Sequence, residues 1–248
     1  MLTWIQPDWP APSSVRAAFT LRPGGYSLGP YRGLNLAAHV GDDVGAVADN
    51  RARLSQALGL VAEPVWLEQV HGAAVVRLPD AGRTPRADAA WTERAGVVCC
   101  VLVADCLPVL FCDRCGRRVA AAHAGWRGLA AGVLEATIHA LGFAPGELLA
   151  WLGPAIGPAH FEVGEEVRAA FTERCPADAA CFERGRRGRW HADLHGLARA
   201  RLERAGVGAI CGVEDDTFAD PWRYYSYRRD GRTGRMAALI WLEAGKPP

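Results

Sequence analysis

Three apolar runs follow one another between residues 97 and 122, and the elements of the chain are read outward from them. Val97–Val103 carries no charge and is rich in β-branched residues, which predicts a strand buried on both faces. Pro108 cannot donate to a central ladder and therefore marks chain beyond that strand. Val109–Cys112 and Val119–Ala122 are the next two strands, separated by the polar turn DRCGRR. The third run ends at His123, and Gly125, Trp126, Arg127 and Gly128 lead into Leu129–Leu141. That stretch is apolar nearly all round and predicts one buried helix whose first N–H groups lie beside His123.

Elsewhere the pattern predicts a short strand at Val15–Thr20 and a Gly/Pro-rich loop in LRPGGYSLGPYRG. Val44, Val47, Leu54 and Leu58 share one face of a helix over Val44–Leu58, with Asp43 as its N-cap. Glu63–Leu78 holds two strand-like runs, PVWLEQV and AAVVRL, on either side of His71–Gly72, and Arg83–Thr92 reads as a polar loop. Leu148–Leu152 is a strand running into the turn GPAIGP, and Glu165–Glu173 is a short helix. Phe182–Arg189 reads as an Arg/Gly-rich surface loop, Asp193–Ala205 as a helix closed by Gly206, and Val207–Val213 as a strand. A loop-rich segment, EDDTFADPWRYYSYRRDGRTGR, precedes a closing strand at Met236–Leu242. Strands and helices mix without a steady βαβ rhythm and without repeats or linkers. The expected architecture is therefore a single α/β (α+β) domain over residues 1–248, with mixed β-sheets flanked by helices.

Composition narrows the classes. Half of the 248 residues are hydrophobic and 22% are charged, which supports a folded, soluble chain with a sizeable core. A net charge of +1 gives no reason to expect nucleic-acid or membrane-surface attraction. No apolar run approaches the roughly 20 residues needed to span a bilayer. The N-terminal stretch lacks a basic start and an apolar core, so a cytoplasmic location is expected. Under that expectation the eight cysteines are thiols, not a disulfide framework. Cys99 and Cys100 are packing residues within their strand.

The chemistry concentrates at strand ends. Cys106 follows the first central run, His123 ends the third, and His71 follows a strand-like run. Brought together, two imidazoles and a thiolate form a three-ligand set for Zn²⁺ with the fourth position open, as catalytic sites have it. Taken singly, each has a blander reading, as a packed or surface histidine or an inert core thiol. Asp105 can orient a ligand histidine or handle a proton, and it can equally be tied up in a strand-end hydrogen bond. Cys112–Cys115 forms a lone CxxC, and a second zinc there would need Cys175 and Cys181 as partners, whereas zinc ribbons use two paired knuckles.

The motifs QVHG at Gln69–Gly72, ADC-P at Ala104–Pro108, HAGWRG at His123–Gly128, GPAIG at Gly153–Gly157 and SYRRDGRTGR at Ser226–Arg235 occur in this order, with NL--HVGDD at Asn35–Asp43 before them. Together they resemble the YfiH family, also called the laccase-domain or multicopper polyphenol oxidase family, over nearly the whole chain. The resemblance implies a fold similar to toxin-type cysteine hydrolases and a zinc-dependent purine nucleoside phosphorylase. Such an enzyme acts on inosine, guanosine, adenosine and methylthioadenosine with phosphate, and it also deaminates adenosine. It implies His71, Cys106 and His123 as zinc ligands, with copper a lesser possibility, and Asn35 and His39 at the pocket. Phosphorolysis needs cations around an anion, and Arg127, the N-terminus of the following helix, Arg228 and Arg229 are the candidates. Where family members often carry Cys-Thr before the SYRR motif, this chain has Asp216–Thr217, so no role of that cysteine transfers. A monomer or weak homodimer is expected.

Rival readings separate on simple grounds. Cys106 as a nucleophile with His123 as its base would give an amide or muropeptide hydrolase, as the name peptidoglycan editing factor for bacterial members suggests. A copper oxidase draws on more histidines than the two in this cluster, often with an axial methionine. A scaffold without turnover would leave the three ligands unexplained.

Overall fold

In a computed structural model, residues 2–82 and 84–243 are described; Met1, Arg83 (the first residue of the expected loop) and 244–248 lie outside them. Thirteen strands occur in chain order: β1 (Trp4–Ile5), β2 (Val15–Thr20), β3 (Val75–Arg77), β4 (Ala89–Thr92), β5 (Val98–Val103), β6 (Leu107–Asp113), β7 (Val119–Ala124), β8 (Leu148–Leu152), β9 (Glu162–Val163), β10 (Phe182–Arg184), β11 (Trp190–Ala192), β12 (Ala209–Gly212) and β13 (Met236–Leu242). The helices are α1 (Val44–Leu58), α2 (Trp126–Ala131), α3 (Val133–Leu141), α4 (Glu165–Thr172), α5 (Leu194–Arg204) and α6 (Tyr227–Asp230).

Two sheets lie face to face between helical layers. One is antiparallel in the order β1-β2-β13-β5; the other is mixed, β12-β8-β6-β7-β4-β3, with parallel pairs only at its two edges. A small antiparallel sheet, β10-β11-β9, lies apart from them. The fold is thus a mixed α+β domain. Side chains alternate accordingly. Val98, Cys100 and Leu102 of β5 pack with Leu54 of α1, whereas Cys99, Val101 and Val103 pack with Leu110 and Cys112 of β6 between the sheets. Val109 and Phe111 face α3 and α5 on the far side. Each central strand is therefore covered twice, which is why its sequence is apolar without alternation. Each fully buried Leu, Ile or Val contributes roughly 1.5–3 kcal/mol relative to exposure. No helix of the described residues is long and apolar enough to cross a membrane.

Asp43 caps α1 as expected, accepting from Ala46 N–H; Asp193, read as the first residue of its helix, is the N-cap of α5 and accepts from Gly196 N–H. Several expectations are corrected. The second central strand begins at Leu107, two residues before Val109, so Pro108 lies beyond β5 as expected but inside β6, opposite His123, where its missing N–H falls at the strand's end. The single helix over Leu129–Leu141 is two helices, because Gly132 sits at φ 98 and ends α2 in a left-handed cap. Arg83–Thr92 is not all loop: Ala89–Thr92 forms β4 beside β7, deep in the mixed sheet. Of the two runs in Glu63–Leu78 only Val75–Arg77 is a strand; the first touches β5 by an isolated bridge at Val65. Phe182–Arg184 pairs with Trp190–Ala192 as a hairpin.

Candidate metal centre

The chain leaves the antiparallel sheet at Val103 and enters the mixed sheet at Leu107, and Cys106 lies on that crossing. β7 runs antiparallel to β6, which brings His123 opposite Pro108 and beside the same crossing. His71 arrives from the loop before β3. Gln69 anchors that loop by donating to Leu102 C=O (2.9 Å) and accepting from Leu102 N–H (2.7 Å), so its side chain imitates one more strand partner of β5. The ligand atoms of His71, Cys106 and His123 lie within 4.8 Å of one another, the one such group of His, Cys, Asp or Glu among the described residues. Cys106 Sγ is 3.9 Å from His71 Nε2, and the two imidazole rings meet edge to face with centroids 4.8 Å apart.

Asp88 holds this arrangement together, and the sequence reading passed over it. Its fully buried carboxylate accepts from His123 Nδ1 (2.9 Å), from His71 N–H (2.9 Å), from Gly72 N–H (2.7 Å) and from Val70 N–H (3.2 Å). Burial alone would raise its pKa, but the His123 hydrogen bond and the backbone donors outweigh this and hold it below the ordinary carboxylate range. With Nδ1–H of His123 donated to Asp88, Nε2 is the nitrogen left to face Cys106, and it would offer its lone pair to a bound ion. The same carboxylate fixes His71 in a left-handed backbone conformation (φ 59).

Burial of Cys106 opposes its ionisation, but the adjacent His123 and His71 win and draw the thiol down to about 6. His123 is pushed the other way, up to about 9, where the thiolate and Asp88 overcome its own burial. The two form a thiolate–imidazolium pair when no ion is held. Glycines leave room for it: a Cβ on Gly125 would stand 2.8 Å from Cys106 Sγ and 3.1 Å from His71 Cδ2. Two imidazoles and a thiolate suit one zinc or copper ion. The 3.9 Å between Sγ and Nε2 is close to the roughly 3.5 Å that two ligands of a tetrahedral ion keep. The residues fit such a group.

A cleft of about 380 Å³ opens onto the cluster, lined by His39, Gln69, Leu102–Ala104, Tyr227 and Arg235 besides the three ligands. That volume lies within the range of roughly 300–1,000 Å³ usual for small-molecule sites. His39 is on its wall, with its pKa lowered by partial burial and then by the charges of Arg235 and Arg51. The other expected contacts sit differently. Asp105 (φ 87) accepts from Thr217 Oγ1 (2.8 Å) and from Arg228 N–H (2.6 Å), so its carboxylate ties loops together and contacts neither ligand histidine. Asn35 is buried and accepts from Ala37 and Arg235 N–H groups while donating to Asp42, which makes it a support of the cleft wall. Arg229 donates to the carbonyls of Thr217, Phe218 and Tyr224 and pairs with Asp230. Arg228 donates to Glu162 C=O, and Arg127 lies exposed over the Trp126 ring. None of these three arginines is among the residues that line the cleft. Arg235 and Tyr227, inside a motif singled out above, do line it; the start of a strand paired with β5 was the available signal for Arg235.

At the CxxC turn, Cys112 is buried with its thiol pushed up to about 12, first by burial and then by Asp113, and Cys115 is exposed.

Comparison with known proteins agrees with this geometry. A family model described as multi-copper polyphenol oxidoreductase laccase matches residues 16–243. A Pseudomonas aeruginosa protein named a purine nucleoside phosphorylase is 56% identical over 244 residues, covering 98% of this chain and 100% of the relative. The Escherichia coli purine nucleoside phosphorylase YfiH is 52% identical over 240 residues, with 96% and 98% covered. Among solved structures, a Neisseria meningitidis protein of the DUF152 family superposes with a TM-score of 0.94 at 49% identity, covering 97% of this chain and 99% of that one. YlmD from Geobacillus stearothermophilus superposes at 0.92 with 32% identity, covering 97% and 96%. Motifs, fold and full-length identity converge, and the chain belongs to the YfiH family, the laccase-like family of that model.

Proposed function

We propose that this chain is a zinc-dependent purine nucleoside phosphorylase that converts inosine, guanosine, adenosine or methylthioadenosine and phosphate to the free base and a sugar 1-phosphate, and that it also deaminates adenosine. The observation that carries the reading is the convergence of His71, Cys106 and His123 on the floor of a nucleoside-sized cleft, in a chain aligned end to end with relatives named purine nucleoside phosphorylase. His71 Nε2, Cys106 Sγ and His123 Nε2 would hold the zinc ion. When bound, the ion supplies Lewis acidity and one open position for water or substrate.

The chain's own residues supply the rest. Asp88 keeps His123 in the tautomer that presents Nε2, and it fixes the backbone of His71, so the His123 ring and the His71 main chain are held before any ion arrives. Leu102, Val103 and Ala104 form a wall that shields the reacting centre from water on one side. In phosphorolysis a phosphate oxygen forms a bond to C1′ of the sugar as the C1′–N9 bond breaks, and the purine nitrogen takes a proton. In deamination, water adds at C6 of adenine and ammonia leaves.

The test is phosphate-dependent release of hypoxanthine from inosine by zinc-loaded protein, which His71→Ala and Cys106→Ala should abolish. Release at the wild-type rate by either variant would remove the cluster from the chemistry. A second reading is favoured by one observation, the line Cys106–His123–Asp88, in which a thiol drawn down to about 6 adjoins an imidazole held by a carboxylate. That is the arrangement of an amide or muropeptide hydrolase. Under it, alkylation of Cys106 abolishes activity in metal-free protein while chelators do no harm. Elemental analysis of protein purified without added metal separates these readings from the copper oxidase that the family description evokes.

A further inference from the structure

Among the described residues Arg235 is a cation in an unusual position. It is the residue before β13, and β13 pairs with β5 so that Met236 stands opposite Val103. The guanidinium is thereby delivered to the wall of the cleft that holds Cys106. Its hydrogen bonds are to carbonyls, and the charges of Cys106 and Asp105 lie nearby without forming an ion pair with it. One terminal nitrogen donates to the carbonyls of Thr233 and Gly234 (3.0 Å each), and no carboxylate pairs with it among the described residues. Its neighbours differ: Arg223 pairs with Asp215, Arg229 with Asp230, and Arg232 donates to Tyr31 Oη. A half-buried charge with no partner is costly unless an anion arrives to meet it.

The position is held from behind. Asn35 Oδ1 accepts Arg235 N–H (2.9 Å), and Asn35 is itself fixed by Asp42 and Ala37. Gly234 is required for this contact, since a Cβ there would stand 2.9 Å from Asn35 Cβ and 2.7 Å from the Tyr225 ring. Two motifs far apart in sequence, NL--HVGDD and TGR, thus meet to aim one guanidinium. Tyr227 lies along it, with the guanidinium carbon 5.7 Å from the ring centroid, and His39 stands on the same wall.

We propose that Arg235 is the phosphate-binding residue of this cleft, with His39 as a hydrogen-bonding partner on the same wall, and that Asn35 positions it. The proposal rests on the phosphorylase reading and names where its co-substrate binds. The planar fork of a guanidinium matches two phosphate oxygens at once, and the free Nε and second terminal nitrogen form such a fork. The electrostatics agree: burial lowers the pKa of Arg235, while nearby Cys106 and Asp105 pull it back up, and the group stays charged. An anion bound here lies beside the three ligands and within the same small cleft as the nucleoside.

The experiment measures hypoxanthine release from inosine by zinc-loaded protein as phosphate is varied, for wild type, Arg235→Gln and Arg235→Lys. Loss of a bidentate charged contact should raise the phosphate KM by roughly 10- to 100-fold in Arg235→Gln. The inosine KM should change less than about threefold, and zinc content should be unchanged. Arg235→Lys keeps the charge without the fork and should recover part of the loss. An unchanged phosphate KM in Arg235→Gln would overturn the proposal. If wild type releases no hypoxanthine, the phosphorylase reading fails, and the site is then read by thermal shift with inorganic phosphate. A rise in Tm for wild type that Arg235→Gln lacks supports the anion site on its own; no rise in wild type refutes it.

Discussion

Replacing Asp88 by asparagine is the most informative single change, because it alters one atom in the residue that both ligand histidines depend on. The carboxylate accepts four hydrogen bonds, two on each oxygen: His123 Nδ1–H and His71 N–H on Oδ1, Gly72 and Val70 N–H on Oδ2. An amide keeps one oxygen, so two of the four donors lose their acceptor and face an NH₂ group. If the amide oxygen keeps the histidine side, the loop at Val70–Gly72 is left unsatisfied. If it turns the other way, His123 loses its orienting partner and can take the other tautomer. Each lost bond to a buried charge is worth roughly 1.5–3 kcal/mol, so Asp88→Asn should cost about 3–6 kcal/mol. Against a typical net stability of roughly 5–15 kcal/mol, the variant should still fold, at the margin. Zinc affinity should fall about 10- to 100-fold, as expected when the partner of a ligand imidazole is removed. Urea unfolding of metal-free protein gives the first quantity, and competition with a chelating dye gives the second. An Asp88→Asn protein with the wild-type urea midpoint and wild-type zinc affinity would refute the claim that this carboxylate organises the centre.

Further outcomes follow from the same contacts. Asp105→Asn should cost roughly 1–3 kcal/mol, because a single amide oxygen can accept from Arg228 N–H or from Thr217 Oγ1 but not from both, yet leave zinc affinity within about threefold, because its carboxylate touches no ligand. Gly125→Ala is tolerated by the backbone (φ −62, ψ 157), so its cost should appear mainly as weakened zinc binding, from a methyl 2.8 Å from Cys106 Sγ, measured by the same dye. Burial pushes the pKa of Asp113 up, but backbone N–H donors from Arg118, Arg117 and Cys115 together with the Arg117 side chain bring it below the usual value. A depressed carboxylate stabilises the fold above its unfolded pKa of about 3.9, and that stabilisation is lost as pH falls through the lower folded value. The stability gap between wild type and Asp113→Asn in urea should therefore be widest near neutral pH and narrow below about pH 4. In metal-free protein at pH 7, iodoacetamide should label Cys106 fastest, exposed Cys115 more slowly, and buried Cys99, Cys100 and Cys112 not at all, with zinc protecting Cys106 in peptide mass analysis.

What could be read from the sequence was whatever burial wrote into it strongly. Met236–Leu242 is a strand residue for residue, and Asp43 caps α1 as its position before an apolar face requires. The strands on either side of Cys106 were legible because sheets and helices cover them on both faces. β4 was not, since four residues, AAWT, preceded by PRAD carry too little periodicity to outweigh their polar flank. With β4 went Asp88, whose role depends on β7 lying beside it, a tertiary fact with no local signature. The signal that remained was a charged residue directly before a short apolar run, which marks a strand end as His123 and Cys106 do. Arg228 and Arg229 show a different limit. Charge and motif membership say nothing of direction, and both side chains turn to carbonyls of the surrounding loops.

Among the described residues, three other than glycine take positive φ, His71, Asp105 and Arg187, and the first two lie at the candidate metal centre. Such conformations cost of order 1 kcal/mol or more and persist only where the surroundings over-determine them. Here two aspartates do so. Asp88 grips the backbone at His71, and the Asp105 side chain, bound to Thr217 and Arg228, holds its own twisted residue at the crossing between sheets. The crossing spans only Ala104–Cys106, where neither sheet's ladder continues; Asp105 C=O accepts from Ile156 N–H (3.0 Å) instead, and the Asp105 side chain ties the link to Thr217 and Arg228. That arrangement places Cys106 on a strained link, with His123 from one sheet and His71 from a loop strapped to the other. A donor set assembled this way cannot relax without breaking buried carboxylate bonds. The protein therefore holds its ligands apart at metal-binding spacing, and the thiolate–imidazolium pair is the form that spacing allows when the ion is absent.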